Sequence, residues 1–248
     1  MNKIPQLTFA FWVMKICATT LGETAGDLLS MTLDVGYAIS SIILLGFFGA
    51  TLVVQLAGKK YHPVVYWAVI LSTSTAGTTI SDYLDRSAGL GYTTGSLLLV
   101  CLLIMTLGIW KWKEKSLSVT NINSFRSEIF YWTAILISNT LGTALGDFLA
   151  DSSGLGFSGG ALLIGSLILI VIGMYKFTMV SRVALFWLAF VLTRPFGATF
   201  GDLLTKPIEK GGLNFGTIGS SAILFGILTV LIVVEFFQNK KISKSVLL

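Results

Sequence analysis

Polar residues interrupt the hydrophobic runs of this chain at regular places. NTLGTALGD, Asn139–Asp147, sets glycines, threonines and an aspartate inside a run otherwise fit for lipid. Related stretches occur at 19–27 (TTLGETAGD), 74–82 (STAGTTISD) and 194–202 (RPFGATFGD). Each belongs to a longer unit. Trp12, Trp67, Trp132 and Trp187 are followed ten residues later by Gly22, Gly77, Gly142 and Gly197, and fifteen residues later by Asp27, Asp82, Asp147 and Asp202. Tyr37, Tyr92, Phe157 and Phe215 then open a second apolar run. The copies step by 55, 65 and 55 residues, a duplicated pair joined by a longer linker around Lys111–Phe125. Self-similarity at a fixed period is the signature of a repeat architecture.

Two apolar runs per copy predict an all-α integral membrane protein with eight transmembrane helices built from four parallel two-helix repeats. The repeats cover 1–58, 59–115, 125–179 and 180–240 of one transmembrane domain, 1–248. Odd spans are expected at 7–29, 64–84, 129–149 and 184–204, and even spans at 37–57, 92–112, 157–177 and 215–237. Two spans return the chain to its starting side, so all copies share one orientation about an axis along the membrane normal, unlike inverted-repeat transporters.

Composition agrees. Hydrophobic residues make up 54% of the chain and charged residues 12%, about half the charged share of soluble domains, with a mean hydropathy of +0.84. The first apolar stretch is long and no small-residue cleavage site follows it, so it reads as a span and not a signal peptide. The termini and the loops between copies carry Lys3, Lys59, Lys60, Lys111, Lys113, Lys115, Arg126, Lys176, Arg182, Lys240, Lys241 and Lys244; the loops within copies carry only Arg86, Lys206 and Lys210. Positive charge stays inside, so both termini are expected in the cytoplasm and the within-copy turns, with Asp34, Asp85, Asp151 and Glu209, outside. The four tryptophans fit an inner aromatic belt, and Lys15 is expected to snorkel towards the cytoplasm. Topology accounts for the basic loops, so the basic balance does not imply a nucleic-acid partner. Cys17 and Cys101 read as small buried side chains, and His62 as a solvated loop residue.

Fifteen helical residues place each aspartate about 22 Å beyond its tryptophan, inside a hydrocarbon layer about 30 Å thick. Charge there is costly, so four carboxylates must face protein or a cavity, not lipid. At about 100° per residue, the aspartates share one arc with Thr20, Thr75, Thr140 and Pro195, with Thr24, Thr79, Ala144 and Thr199, and with Glu23, Thr78, Thr143 and Ala198. The glycines, with Gly26, Ser81, Gly146 and Gly201, form a small-residue ridge on the far side, suited to close helix packing. Small residues opening the even spans (Ser40, Ser41, Gly95, Ser96, Gly159, Gly160, Gly219, Ser220) are expected to receive that ridge. Four polar arcs around the axis would then line a shared cavity.

Oxygen donors suit hard cations. The expected metal ligands are Asp27, Asp82, Asp147, Asp202 and Glu23. Thr20, Thr24, Thr75, Thr78, Thr79, Thr140, Thr143, Thr199, Asn139 and Arg194 are expected to line the cavity. A plainer reading makes each aspartate a cap for the turn that follows. Arg194, followed by Pro195, stands where the other copies have Thr19, Ser74 and Asn139, and it needs a buried carboxylate partner, Glu23 or an aspartate. The expected function is a transporter or channel for a hard cation, a divalent metal such as Mn²⁺ foremost. The alternative is a proton-coupled carrier of a small organic solute or anion, with Arg194 as substrate anchor. The expected partners are an inorganic cation or proton and the lipid bilayer, and no cofactor is implied beyond a bound divalent cation. The spans hold no nucleophile–base pair, histidine or cofactor loop, which argues against an enzyme.

Through YWAVILSTSTAGTTISD and FYWTAILISNTLGTALGD, the chain resembles bacterial integral membrane proteins described as predicted membrane-anchored proteins of unknown function. The resemblance covers nearly the whole chain. It implies a bacterial cytoplasmic membrane location and the four-copy architecture, and it supplies no substrate.

Overall fold

The computed structural model describes residues 3–119, 122 and 124–245, without side chains over 241–245; the side chains of Lys241 and Lys244, counted above among the inner charges, lie outside the described residues. The described residues form eight α-helices: α1 Phe9–Asp27, α2 Tyr37–Ala57, α3 Pro63–Asp82, α4 Gly91–Glu114, α5 Phe125–Asp147, α6 Gly156–Phe177, α7 Arg182–Thr205 and α8 Thr217–Ser245. Local chemistry marks their starts. The Phe11 and Ser127 amides donate to Thr8 Oγ1 and Ser124 Oγ at the N-termini of α1 and α5, and Pro63, needing no donor, opens α3. Gly36, Gly91 and Gly156 precede or begin α2, α4 and α6 with φ of 78°, 70° and 65°, a conformation that side chains with a Cβ resist.

Among the described residues, six helices are long and apolar enough to cross a membrane, namely α2, α4, α6, α8, α5 with the turn that follows it, and α7. The protein is therefore a multi-pass membrane protein with internal repeats. Helices α1 and α3 are too polar for that criterion because they are sheltered. Helices α1, α3, α5 and α7 form a closed ring, α1 against α3, α3 against α5, α5 against α7 and α7 against α1. The even helices sit outside, each on the next odd helix: α2 on α3, α4 on α5, α6 on α7 and α8 on α1. They turn residues such as Ile42 and Leu162 outward, 71% and 72% exposed, as a lipid-facing surface requires.

The glycine ridge closes the ring. A Cβ on Gly22 would meet Ser74, on Gly77 Asn139 and Thr140, on Gly142 Arg194, and on Gly197 Thr19. The next turn repeats the pattern, with Gly26 on Thr78, Gly146 on Ala198 and Gly201 on Glu23. Contacts advance in the same sense on both helices. The ridge thus docks on the neighbouring odd helix and not on the small residues of the even helices. Of those residues Gly160 meets the opposite flank, against Thr199, and Ser221 beside them has Oγ 2.8 Å from Thr24 Oγ1. Absence of a Cβ lets the backbones approach, and dispersion contacts replace the missing hydrophobic drive between helices in lipid.

The tryptophans belong to this ring. Phe11 packs tilted at 5.6 Å from Trp67, Tyr66 tilted at 5.6 Å from Trp132, Tyr131 edge-on at 6.4 Å from Trp187, and Phe186 tilted at 5.9 Å from Trp12. Trp67, Trp132 and Trp187 are buried. The aromatic cycle is a floor that closes one end of the ring. At that end Lys3 Nζ lies 2.7 Å from Glu128 Oε2, and Glu235 accepts from Tyr61 Oη at 2.7 Å and Trp67 Nε1 at 2.9 Å.

At the other end, the odd helices of the first three copies pass into single π turns, Leu28–Thr32, Tyr83–Ser87 and Phe148–Ser152. Such turns are rare and cluster at functional sites. Copy four lacks one: Lys206 closes on Asp202 with an ordinary helical bond of 2.9 Å, and Pro207 stops the helix.

Candidate functional site

Above the aromatic floor the ring axis is filled by charge. Lys15, fully buried, holds Nζ 4.0 Å over the Phe190 ring and 3.5 Å from Asn139 Oδ1. It points across the ring to α5 and α7 and does not snorkel. Asn139 Nδ2 in turn donates to Thr73 Oγ1 at 2.9 Å.

One turn higher, Arg194 is 0% exposed and touches all three other ring helices. Its Nη2 donates to Thr78 Oγ1 of α3 and Thr143 Oγ1 of α5, each at 2.6 Å. Nη1 lies 2.9 Å from Glu23 Oε2 of α1, at ion-pair distance but without hydrogen-bond alignment, and Nε has no hydrogen-bond partner. Thr78 and Thr143 also stand 3.3 Å and 3.4 Å from the same Glu23 oxygen. Arginine suits this position because its fork serves several acceptors at once.

The outermost layer is a ring of four buried aspartates, Asp27, Asp82, Asp147 and Asp202. Two cations clasp them in pairs. Arg86 Nε is 3.3 Å from Asp82 Oδ1 and Nη2 is 2.9 Å from Asp147 Oδ2. Lys206 Nζ is 2.6 Å from Asp27 Oδ2 and 3.1 Å from Asp202 Oδ1. Burial alone would lower the Lys206 ammonium, but the Asp202 and Asp27 carboxylates outweigh it and hold the group above its ordinary value. Arg86 is steadied by Tyr92 Oη at 3.2 Å and Tyr37 Oη at 3.1 Å. Asp27, Asp82 and Asp147 stand where a cap for the π turn would, and none makes a side-chain capping bond. Their carboxylates serve the axis.

Three carboxylates converge further. Glu23, Asp147 and Asp202, from α1, α5 and α7, each bring one oxygen to within 4.8 Å of the others, and all are buried. Asp82 leaves Oδ2 buried without a hydrogen-bond partner. The Glu23, Asp147 and Asp202 oxygens are of the kind that hard cations take as ligands.

The structure brings Glu23, Thr78, Asn139, Thr143, Arg194 and the four aspartates to the axis. Thr20, Thr24, Thr75, Thr79, Thr140 and Thr199 bond carbonyls one turn back, those of Ile16, Leu21, Leu71, Ala76, Leu136 and Pro195. Thr24 and Thr199 face the outer helices. Docking the ridge on the next odd helix turns each helix so that the positions seven and eleven after the tryptophan point inward. The wheel instead set the glycines opposite the site. Sequence reasoning also left Arg86 and Lys206 among loop charges. Each lies four residues after its aspartate, the spacing of an intrahelical ion pair, and that spacing was the available signal.

A family model described as a repeat of unknown function matches residues 10–61, 65–116, 130–181 and 185–241. No curated protein and no solved structure matches the chain. Each matched copy supplies one helix of the ring and one aspartate of its outer layer, and with four copies along most of its length the chain belongs to the DUF347 repeat family.

Proposed function

We propose that the protein is a transporter for a hard divalent cation, Mn²⁺ foremost, in the bacterial cytoplasmic membrane. All eight helices cross the bilayer as four parallel two-helix repeats, with both termini cytoplasmic. Basic residues gathered at the termini and at the loops between copies support that orientation. The observation that carries the function is the convergence of Glu23, Asp147 and Asp202 oxygens from three separate copies inside a buried ring. In so dry a site, unneutralised carboxylates are costly, and a cation of high charge density relieves them. The contacts of Arg194 with Glu23, Thr78 and Thr143 favour a fixed internal counter-ion over an anchor for an anionic substrate.

The test is Mn²⁺ binding and Mn²⁺ flux by the purified protein in proteoliposomes. Asp147→Asn and Asp202→Asn are each expected to weaken binding by about tenfold or more, since even outer partners of a metal site account for that much. Flux should fall with binding. Unchanged Mn²⁺ affinity and flux in both variants would remove the site from the mechanism.

A further inference from the structure

The cations of the carboxylate layers are of two kinds. Arg194 is wholly buried and fastened to three helices. Arg86 and Lys206 are not: their side chains are 29% and 20% exposed, while the aspartates they hold are buried. Both stand at helix ends, Arg86 in the π turn after α3 and Lys206 at the C-terminus of α7. Each ties one copy to the next. Arg86 joins Asp82 of α3 to Asp147 of α5, and Lys206 joins Asp202 of α7 to Asp27 of α1. Asp147 and Asp202 are also two of the three carboxylates that converge with Glu23. The same side chains therefore serve both the ties and the candidate cation site. The ties do not use up the oxygens of the ring, since Asp82 Oδ2 is buried without a hydrogen-bond partner.

The two uses compete. A divalent cation among Glu23, Asp147 and Asp202 would share one carboxylate with Arg86 and another with Lys206, whose nitrogens lie 2.9 Å from Asp147 Oδ2 and 3.1 Å from Asp202 Oδ1. Like charges so placed in a buried site repel with little screening. Arg194 has no route to solvent, but the two partly exposed cations do. Arg86 also has other partners at hand. Its Nε and Nη1 donate to Tyr92 Oη and Tyr37 Oη at 3.2 Å and 3.1 Å, and its guanidinium lies 5.8 Å and 5.9 Å from the centres of those rings. Tyr92 Oη in turn donates to Asp151, exposed to solvent, at 3.0 Å, so a carboxylate outside the ring stands one hydrogen bond away. We propose that Arg86 and Lys206 are movable clasps, seated on Asp147 and Asp202 while the ring is empty and displaced from them by the divalent cation. This rests on the cation-transport reading above and adds how the site is regulated. An empty ring keeps its carboxylates paired, and loading unties copy two from copy three and copy four from copy one.

The experiment measures Mn²⁺ binding to the purified full chain by titration calorimetry at one pH. Arg86→Gln and Lys206→Gln each remove one competitor, and each should tighten Mn²⁺ binding by about 5–150-fold, the usual range for coupled sites. Arg86→Lys keeps the charge and should bind as the wild type does. Mn²⁺ should also raise the melting temperature of Arg86→Gln more than that of the wild type, because tighter binding to the folded state stabilises it further. A second measurement needs no variant. In the wild type, Mn²⁺ should speed labelling of Lys206 by an amine-reactive ester, read by mass spectrometry against exposed Lys210. Residues that merely staple the helices would give the opposite sign. Unchanged or weaker Mn²⁺ binding in either folded glutamine variant, or Lys206 labelling that Mn²⁺ leaves unchanged or slows, overturns the clasps and leaves the transport reading standing. Absence of Mn²⁺ binding in the wild type and in every variant overturns the two together.

Discussion

Replacing Glu23 by glutamine keeps the shape of the side chain and removes the carboxylate beside Arg194. The guanidinium is 0% exposed and cannot reach water without opening the ring. Breaking a buried ion pair by deleting one partner costs about 3–5 kcal/mol, because it strands the other charge. Two features set where in that range the loss falls. Thr78 and Thr143 still accept from Nη2 at 2.6 Å, which argues for the lower half. The nearest substitutes, Asp147 and Asp202, are already held by Arg86 and Lys206, which limits rescue. For a chain of this size each kcal/mol moves the melting temperature about 2–4 °C, so Glu23→Gln should melt about 6–20 °C lower. Trp67, Trp132 and Trp187 are buried in the ring floor, so intrinsic fluorescence in detergent reports the transition. Glu23→Gln with Arg194→Met should recover most of the loss, since an apolar pair of similar volume removes the stranded charge, while metal binding stays impaired. A Glu23→Gln midpoint within roughly 2 °C of wild type, less than a single kcal/mol would give, would refute the buried-pair argument.

Two further substitutions test the packing and the inner cation. Gly142→Ala would place Cβ 2.2 Å from Arg194 Cγ and 3.0 Å from Pro195 Cδ, and overpacking of this kind costs about 1–3 kcal/mol. Gly46→Ala meets nothing within 4 Å and should be neutral or stabilise by up to about 1 kcal/mol; thermal melts of the pair should separate in that order. Lys15→Met should leave the melting temperature unchanged or raise it, because Lys15 contacts Asn139 and the Phe190 ring but makes no ion pair among the described residues, and an apolar side chain of like length avoids burying the charge. A midpoint lowered by more than about 5 °C would show that the ammonium stabilises the ring, by the same conversion.

The membrane character, the four copies and their helix pairs could be read from the chain alone. They are local properties: each apolar run is its own evidence, and the recurrence of Trp, Gly and Asp at fixed offsets needs no partner to be seen. The expectation that Arg194 requires a carboxylate followed equally from the chain, because a buried guanidinium has few ways to be satisfied. Tertiary structure decided the rest. A wheel orders the faces of one helix but does not say which face meets which neighbour. The glycine ridge could have docked on an even helix; closure of the four odd helices placed it on the next odd helix. That choice turned Thr24 and Thr199 towards the outer helices and brought Thr78, Thr143 and Asn139 onto the axis. The same closure drew Lys15 inward, buried Trp67, Trp132 and Trp187 as a floor, and let Arg86 and Lys206 bridge aspartates of adjacent copies. Periodicity is written within a helix, whereas the identity of its neighbour depends on how all four copies pack at once.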